Sequence, residues 1–202
     1  MIIDVQQEKP LTRYHLLTQT IIPRPIAWVL SENEDASLNL APFSFFNAVC
    51  SDPPLLVMSI GKKPDGELKD TRRNLLSGRD FVVHIASRAQ AEAVHLSAAT
   101  LKYGESEVEA GQLAVEAFSG CPVPRLADCL VAYHCSFYEH HDVGPNQQAI
   151  IYAEVKNLYV ADNAIEVRCD RYVIDAAIID PLARLGGAQY IETGQVFSIE
   201  NK

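Results

Sequence analysis

The sequence predicts an antiparallel β-barrel with a few attached helices. Strand-like runs outnumber helical patterns, and most connections are too short for the crossovers that parallel strands need. Hydrophobic residues make up 48% of the chain, which is enough for a substantial core. No linker, internal repeat or low-complexity segment divides the 202 residues. We therefore expect residues 1–202 to form a single domain.

The predicted strands follow the apolar runs of the chain. Pro53 and Pro54 cannot donate to a strand ladder, so they are expected to punctuate the chain between two strands. The strands are predicted at residues 26–30, 44–50, 55–60, 81–86, 130–138, 149–160 and 164–169, with a short strand-like end at 196–199.

Two helices are predicted, over residues 69–77 and 88–99, and Gly78 suits the C′ position after the first. Residues 1–21 are expected to form an irregular or short helical lead-in. Residues 100–128 contain scattered Gly, Pro and acidic residues without a regular pattern. A stretch of this length within an otherwise regular domain indicates a functional loop or excursion.

Charge and hydropathy exclude several classes of protein. The net charge is −9, and no basic cluster is longer than Arg72-Arg73, so nucleic-acid binding is not expected. No apolar run approaches the ~18 residues that a membrane span requires. The N-terminus lacks the pattern of a signal peptide, and a cytoplasmic location is the default expectation. Five cysteines without a C-x-x-C pair favour reduced, mostly buried thiols over a zinc or redox motif.

Familiar catalytic and nucleotide motifs are absent from the sequence. It contains no G-x-G-x-x-G, no P-loop and no G-x-S-x-G. His140 and His141 are adjacent on a predicted strand and therefore point to opposite faces, so no metal site is predicted. If the protein uses a nicotinamide nucleotide, we expect that nucleotide to visit a site built around another cofactor.

Lys69-Asp70-Thr71 is the best candidate for an anion site. The triplet lies where the first predicted helix begins, and a helix N-terminus offers free backbone N–H groups and partial positive charge. The lysine supplies a full charge, and the threonine hydroxyl supplies a donor. Ser59 adds a hydroxyl if the intervening loop folds back. Alternatively, Asp70 or Thr71 merely caps a surface helix.

Residues 39–49 combine apolar rings with short polar side chains, as expected for a pocket that binds a flat, partly polar ligand. Phe43, Phe45 and Phe46 suit the walls of such a pocket, whereas Ser44 and Asn47 suit the hydrogen-bonding edge of its ligand. Core packing is the alternative for each phenylalanine. Asn47 argues more strongly for a site, because a buried amide needs partners.

Arg24 lies between two prolines, which restrict the backbone on both sides. Its guanidinium suits either a phosphate group or the negative charge that develops on a bound ring when the ring is reduced. Pairing with a surface carboxylate is the alternative, and spacing alone does not decide between them.

Several of these blocks occur together in the order found in one protein family. The chain resembles the flavin reductase-like family of FMN-binding split β-barrels from about Tyr14 to Tyr190. This resemblance implies a split barrel of antiparallel Greek-key type that forms a homodimer, with FMN near the subunit interface. The matching blocks are Pro23-Arg24-Pro25-Ile26-Ala27-Trp28-Val29, Asn39-Leu40-Ala41-Pro42-Phe43-Ser44-Phe45-Phe46-Asn47, Asp52-Pro53-Pro54, Lys69-Asp70-Thr71 and Leu182-Ala183-Arg184-Leu185-Gly186-Gly187-x-x-Tyr190.

The resulting hypothesis is an FMN-dependent oxidoreductase that takes hydride from NAD(P)H as a transient donor. A small molecule or a partner protein would accept the electrons, and no catalytic side chain is predicted. Alternatives are a flavoredoxin-like electron carrier and an oxidase of a pyridoxine-type phosphate. Arg184 and Tyr190 are expected near the cofactor or the dimer seam. The predicted cofactor-binding residues are Arg24, Ser44, Phe45, Phe46, Asn47, Ser59, Lys69, Asp70 and Thr71.

Overall fold

A seven-stranded antiparallel sheet organises residues 1–199, the part of the chain that the computed structural model describes. The strands are β1 (Arg24–Pro25), β2 (Ala27–Glu32), β3 (Leu38–Phe43), β4 (Phe46–Ser51), β5 (Pro54–Ile60), β6 (Phe81–Ile85), β7 (Val115–Glu116), β8 (Arg125–Leu126), β9 (Val131–Val143), β10 (Gln148–Val160), β11 (Ile165–Arg168), β12 (Arg171–Ile174), β13 (Ala183–Arg184) and β14 (Tyr190–Ile191). The α-helices are α1 (Pro10–Thr20), α2 (Asp70–Leu76), α3 (Ala91–Leu96), α4 (Glu107–Ala110) and α5 (Ala176–Ile179), with 3-10 turns at Val5–Gln7, Arg88–Gln90 and Asp162–Ala164.

The strands of the large sheet lie in the order β3-β2-β6-β9-β10-β5-β4, and each neighbouring pair is antiparallel. Strands β3 and β4 are consecutive in the chain but lie at opposite edges, so the short link between them draws the two edges together. The amide of Ser59 on β5 donates to the carbonyl of Phe45 in this link at 2.9 Å. The predicted antiparallel barrel with attached helices is confirmed.

The first five residues of strand β2 are all buried. Because successive side chains of a strand point in opposite directions, this strand is buried on both faces of the sheet. Val29 packs inside the barrel with Met58. Trp28 packs on the opposite face with Val94 of α3, and its indole N–H donates to Oγ of Ser97 at 2.9 Å. Helix α3 therefore covers the outer face of the sheet beside β2.

Several elements differ from their predicted bounds. The sequence pattern does not predict β3, in which Asn39 and Pro42 interrupt the apolar residues; Pro42 is tolerated because β3 is an edge strand. Pro54 starts β5 rather than standing outside it, since the first residue of a strand can be a proline. The strand predicted at 196–199 is wrong, because these residues form no regular structure. The helix predicted over 88–99 is a 3-10 turn followed by α3, which ends at Leu96.

The excursion predicted at residues 100–128 contains α4, β7 and β8 and is attached to the sheet by buried polar contacts. His84 on β6 is fully buried, with Nε2 accepting from the amide of Leu126 at 2.9 Å and Nδ1 lying 3.1 Å from the carbonyl of Trp28. These partners require a neutral ring with its proton on Nδ1. The guanidinium of Arg125 lies 3.8 Å from the ring centroid of Tyr159. The sheet thus holds the end of the excursion in place.

All five cysteines are free thiols. Cys129 and Cys135 are buried as predicted, whereas Cys50 and Cys169 are exposed, which the prediction of mostly buried thiols misses. Burial raises the pKa of the Cys129 thiol to about 12.

Within residues 1–199, no helix has both the length and the apolar character that a membrane span requires.

We predict that His84 makes the fold sensitive to mild acid. Burial lowers the pKa of His84 from 6.5 to about 4. The unfolded chain therefore binds a proton on this ring before the folded chain does, and stability falls as the pH decreases from 6.5 to 4. At about 1.4 kcal/mol per tenfold change in proton affinity, the loss is about 3 kcal/mol.

Urea unfolding of the wild type and of His84→Gln at pH 7 and at pH 4.5 measures this effect. We expect His84→Gln to be less stable at pH 7 but to lose less stability on acidification. The control is His141→Gln, which removes an exposed histidine and none of the buried contacts of His84. Equal pH dependence in the His84→Gln variant and the wild type would contradict the prediction.

Candidate active site

A first cavity of about 220 Å³ lies where β3 meets the start of α2. The segment from Ser97 to Leu101 and the side chain of Glu107 complete its walls. Three of the predicted site residues, Lys69, Asp70 and Thr71, line this cavity together. Its lining residues are Asn39, Ala41, Pro42, Phe43, Lys63, Lys69, Asp70, Thr71, Ser97, Ala98, Ala99, Thr100, Leu101 and Glu107.

The cations of the first cavity are not equivalent. Lys63 Nζ lies 3.1 Å from the Asp70 carboxylate, and Arg73 lies 3.5 Å from the same group. Asp70 therefore neutralises charge at this end of the cavity. Lys69 makes no ion pair or side-chain hydrogen bond with any residue in 1–199, so its ammonium group is the one that remains free to meet an anion there.

A buried network of hydrogen bonds holds Thr71 in the wall of the first cavity. Asn39 donates to Oγ1 of Thr71 at 2.9 Å and to Oγ of Ser31 at 3.3 Å. Asn74 donates to the same serine at 3.1 Å and to Oδ1 of Asn33 at 2.8 Å. Because Thr71 Oγ1 accepts from Asn39, its own O–H is left to donate toward the cavity.

Glu107 brings a carboxylate from the excursion into the same cavity. Its Oε2 accepts from the amide of Leu40 at 2.9 Å, in the strand that forms the opposite wall. Burial raises the pKa of the Glu107 carboxyl above its ordinary value. The carboxylate thus ties α4 to β3 and closes one side of the cavity.

A second cavity of about 170 Å³ adjoins the first, because Pro42 and Ala98 line both. The two adjoining cavities, which we refer to together as the groove, lie along β3 and the start of the link to β4. Predicted residues Arg24 and Ser44 lie in the second cavity, as do Arg184 and Tyr190. Its lining residues are Tyr14, Thr18, Arg24, Ile26, Pro42, Ser44, Val94, Ala98, Arg184, Leu185, Gly187 and Tyr190.

Arg24 is held by backbone carbonyls rather than by a carboxylate. Its guanidinium donates to the carbonyl of Ile21 at 3.0 Å, to that of Leu185 at 2.8 Å and to that of Thr18. Its Nε lies 3.5 Å from Oγ of Ser44. Burial lowers the pKa of Arg24, and the nearby charge of Arg184 lowers it further. The alternative of a surface ion pair for Arg24 is therefore wrong.

The guanidinium of Arg184 faces the ring of Tyr190, with 4.4 Å between its Cζ and the ring centroid. Strands β1 and β13 place Arg184 opposite Arg24. No carboxylate within residues 1–199 forms an ion pair with either arginine. The second cavity is therefore a positively charged end of the groove, as suits an electron-rich or anionic group.

The remaining predicted residues line neither cavity and lie on β4, β5 and the link before β4. Phe45 is exposed and lies near Tyr14, with 6.5 Å between ring centroids. The hydroxyl of Ser59 accepts from Gln148 at 2.9 Å. Asn47 is exposed and accepts from the amide of Ala48, so the premise that it is a buried amide is wrong. Contact of Phe45, Phe46, Asn47 and Ser59 with a cofactor stays a prediction.

The buried amide of this site is Asn39, which the sequence argument includes in the informative block but not among the site residues. The sequence did contain a signal for Asn39, since a buried asparagine within an apolar run needs a hydrogen-bond partner. The segment 97–101 and Glu107 carried no comparable signal. Their position next to β3 depends on how the excursion folds over the sheet.

Comparisons with known proteins agree with this architecture. The family model described as "Flavin reductase like domain" matches residues 19–172. An uncharacterised protein of Halalkalibacterium halodurans is 35% identical over 192 residues, which cover 93% of this chain and 90% of that protein.

Two solved structures are similar over nearly the whole chain. Nitrilotriacetate monooxygenase component B from Bacillus cereus has a TM-score of 0.90 and 32% identity and covers 98% of each chain. The 2-nitrobenzoate 2-nitroreductase NbaA of Pseudomonas fluorescens has a TM-score of 0.89 and 28% identity, covering 100% of this chain and 96% of that one. The chain belongs to the flavin reductase-like family of split-barrel proteins.

Proposed function

We propose that the protein is an FMN-dependent oxidoreductase that receives hydride from NADH or NADPH. The observation that carries this proposal is the groove of two adjoining cavities, with a free lysine at one end and an arginine pair at the other. Membership of the flavin reductase-like family supports a flavin as the occupant.

The first cavity suits the phosphate of FMN by its donor set. Lys69 offers an ammonium group without a carboxylate partner. Thr71 accepts a hydrogen bond from Asn39 at its Oγ1, and its own O–H remains available to donate to a phosphate. The Lys63–Asp70 pair keeps the total charge of the cavity moderate. With its phosphate in this cavity, the rest of FMN would extend toward Pro42, where the second cavity begins.

The second cavity suits the flavin ring. Pro42 and Ile26 provide apolar contact, and Ser44 provides a hydroxyl. Arg24 is held by three backbone carbonyls, so its charge is fixed in position before a ligand binds. Such a charge stabilises the reduced form of the ring at N1 and O2. When bound, FMN supplies the hydride and electron chemistry, and the chain supplies orientation and charge.

We predict that Lys69→Ala combined with Thr71→Ala weakens FMN binding at least about tenfold, because the phosphate loses a full charge and a charge-assisted hydrogen bond. Quenching of FMN fluorescence measures the dissociation constant. Thr71→Ser, which keeps the hydroxyl, should bind FMN nearly as tightly as the wild type. Lys156→Ala removes an equal charge on β10, outside both cavities, and serves as the control. An unchanged FMN affinity in the double variant would refute the phosphate site.

The reductase activity is tested by anaerobic addition of NADH, then NADPH, to the FMN-loaded protein. We expect one of the two nucleotides to bleach the flavin absorbance, because the proposed function requires hydride transfer from a nicotinamide nucleotide to the flavin. Bleaching by a reduced partner protein but by neither nucleotide would instead identify an electron carrier. Reduction by a pyridoxine-type phosphate with uptake of oxygen would identify an oxidase.

We further propose that the protein forms a homodimer through α1. This helix buries only Thr18, whereas Tyr14, Leu17 and Ile21 are exposed at positions that share one side of the helix. Phe45 lies beside Tyr14 and is 42% exposed, so it extends this apolar surface to the edge of the groove. A second copy packed here would cover the groove and bring its own residues close to the cofactor.

The dimer proposal predicts that Leu17→Glu combined with Ile21→Lys lowers the mass in solution to that of one chain. Light scattering coupled to size-exclusion chromatography measures this mass. Leu158→Glu alters an apolar side chain of similar exposure on β10 and should leave the mass unchanged. A wild-type protein with the mass of one chain at micromolar concentration would contradict the proposal.

A further inference from the structure

Glu107 places a carboxylate in a cavity that otherwise suits an anion. It lines the first cavity together with Lys69 and Thr71, the two residues that suit the phosphate of FMN. Oε2 of Glu107 accepts from the amide of Leu40 at 2.9 Å, whereas Oε1 has no hydrogen-bond partner within residues 1–199. One carboxylate oxygen is therefore left without a hydrogen bond in the wall of the proposed phosphate site.

Helix α4 holds this carboxylate against β3. Val108, the next residue, is buried and packs in the same core cluster as Leu40. The hydroxyl of Ser106 accepts from the amide of Glu109 at 3.4 Å and caps the start of the helix. Withdrawal of Glu107 from the cavity would break its bond to Leu40 and disturb this packing. A phosphate in the first cavity therefore has to be accommodated beside the carboxylate.

The charges that line the first cavity cancel when Glu107 is ionised. The loop before α2 and the start of this helix contribute Lys63, Lys69 and Asp70, whereas β3 and the segment after α3 contribute no charged side chain. Helix α3 adds Glu92, which lines a neighbouring cavity together with Glu107. A phosphate dianion would thus bring two uncompensated negative charges next to a carboxylate. This arrangement is unfavourable unless a proton is bound as well.

We propose that Glu107 binds the phosphate of FMN through a proton shared between its Oε1 and a phosphate oxygen. The proposal rests on the proposed function, because it requires the phosphate to lie in the first cavity. The proton comes from solvent when FMN binds, so the complex carries one negative charge fewer than FMN and the protein carry separately. The resulting O–H···O⁻ bond is charge-assisted and belongs to the stronger class of hydrogen bonds.

The surroundings of Glu107 favour its protonated form. Burial raises the pKa of the Glu107 carboxyl, and the nearby charge of Asp70 raises it further, whereas the hydrogen bond from Leu40 and the charge of Lys63 act in the opposite direction. A phosphate dianion in the same cavity adds a larger negative charge and raises this pKa again. Binding of the anion and uptake of the proton therefore assist each other.

FMN binding should weaken as the pH rises above 7. The second pKa of a phosphate monoester is about 6, so above pH 7 neither free FMN nor ionised Glu107 carries the shared proton. Binding then requires the uptake of one proton, and the dissociation constant should increase by up to about tenfold for each pH unit. Calorimetric titration with FMN between pH 7 and pH 8.5, in two buffers with different heats of ionisation, measures the dissociation constant and the number of protons taken up.

Glu107→Gln separates the shared proton from other effects. The glutamine amide keeps an oxygen for the amide of Leu40 and an N–H donor for the phosphate, but it cannot take up a proton. We expect its dissociation constant for FMN to change by less than about twofold between pH 7 and pH 8.5. At pH 8.5 this variant should bind FMN more tightly than the wild type does.

Two controls accompany this variant. Glu109→Gln removes an equal charge from an exposed position on the same helix and should keep the wild-type pH dependence. Riboflavin, which has no phosphate, should bind to the wild type and to Glu107→Gln with the same affinity at each pH. Urea unfolding of Glu107→Gln shows whether the variant is folded.

The proton count of the wild type tests the proposal without any variant, since binding of FMN at pH 8 without proton uptake would overturn it. Equal proton uptake in the wild type and in folded Glu107→Gln would overturn it as well. In both cases the binding of FMN leaves the proposed function standing and rejects only the role of Glu107. Failure of the wild type to bind FMN at any pH would overturn the proposed function too.

Discussion

The hydrogen bond between Asn39 and Thr71 is the contact on which the site depends. It joins the edge strand β3 to the first turn of α2 at 2.9 Å, between two buried side chains. A buried amide without a partner costs about 1–3 kcal/mol, so Asn39 keeps α2 at a fixed distance from the strand. Ser31 and Asn74 extend the same constraint to β2 and to the middle of the helix. The position of the first cavity follows from this network.

The acidity of the chain explains why its cations must be placed individually. With a net charge of −9, the protein as a whole does not attract an anion, so binding depends on local groups. Lys63 is paired with Asp70, and Arg72 with Asp142, whereas Lys69 and the pair of Arg24 and Arg184 have no carboxylate partner within residues 1–199. Three of the cations without a carboxylate partner therefore lie at the two ends of the groove. Spacing along the sequence does not distinguish these three cations from the cations that are paired with carboxylates.

Local pattern was sufficient for much of the fold. The apolar runs of β2, β5, β6, β9 and β10 were predictable because strands buried on one or both faces leave a direct trace in the sequence. Strand β3 was not predictable from periodicity, since an edge strand accepts Asn39 and Pro42 without loss of pairing on its other side. The triplet at residues 69–71 was recognisable because helix N-termini have a compositional signature. Asn47 was misjudged because its strand, β4, lies at the opposite edge and exposes that face.

The internal structure of the excursion could not be predicted, because it depends on long-range contacts that no local pattern encodes. His84 and Arg125 hold its end against β6 and β10, while Glu107 reaches back to the backbone of β3. Each of these polar groups is satisfied only when the whole segment has folded over the sheet, so none has a signal in its own neighbourhood. One consequence is that Glu107 forms a wall of the first cavity although it lies in a segment without a regular sequence pattern. The residues that close this side of the first cavity therefore belong to the least regular part of the chain, where loops carry function.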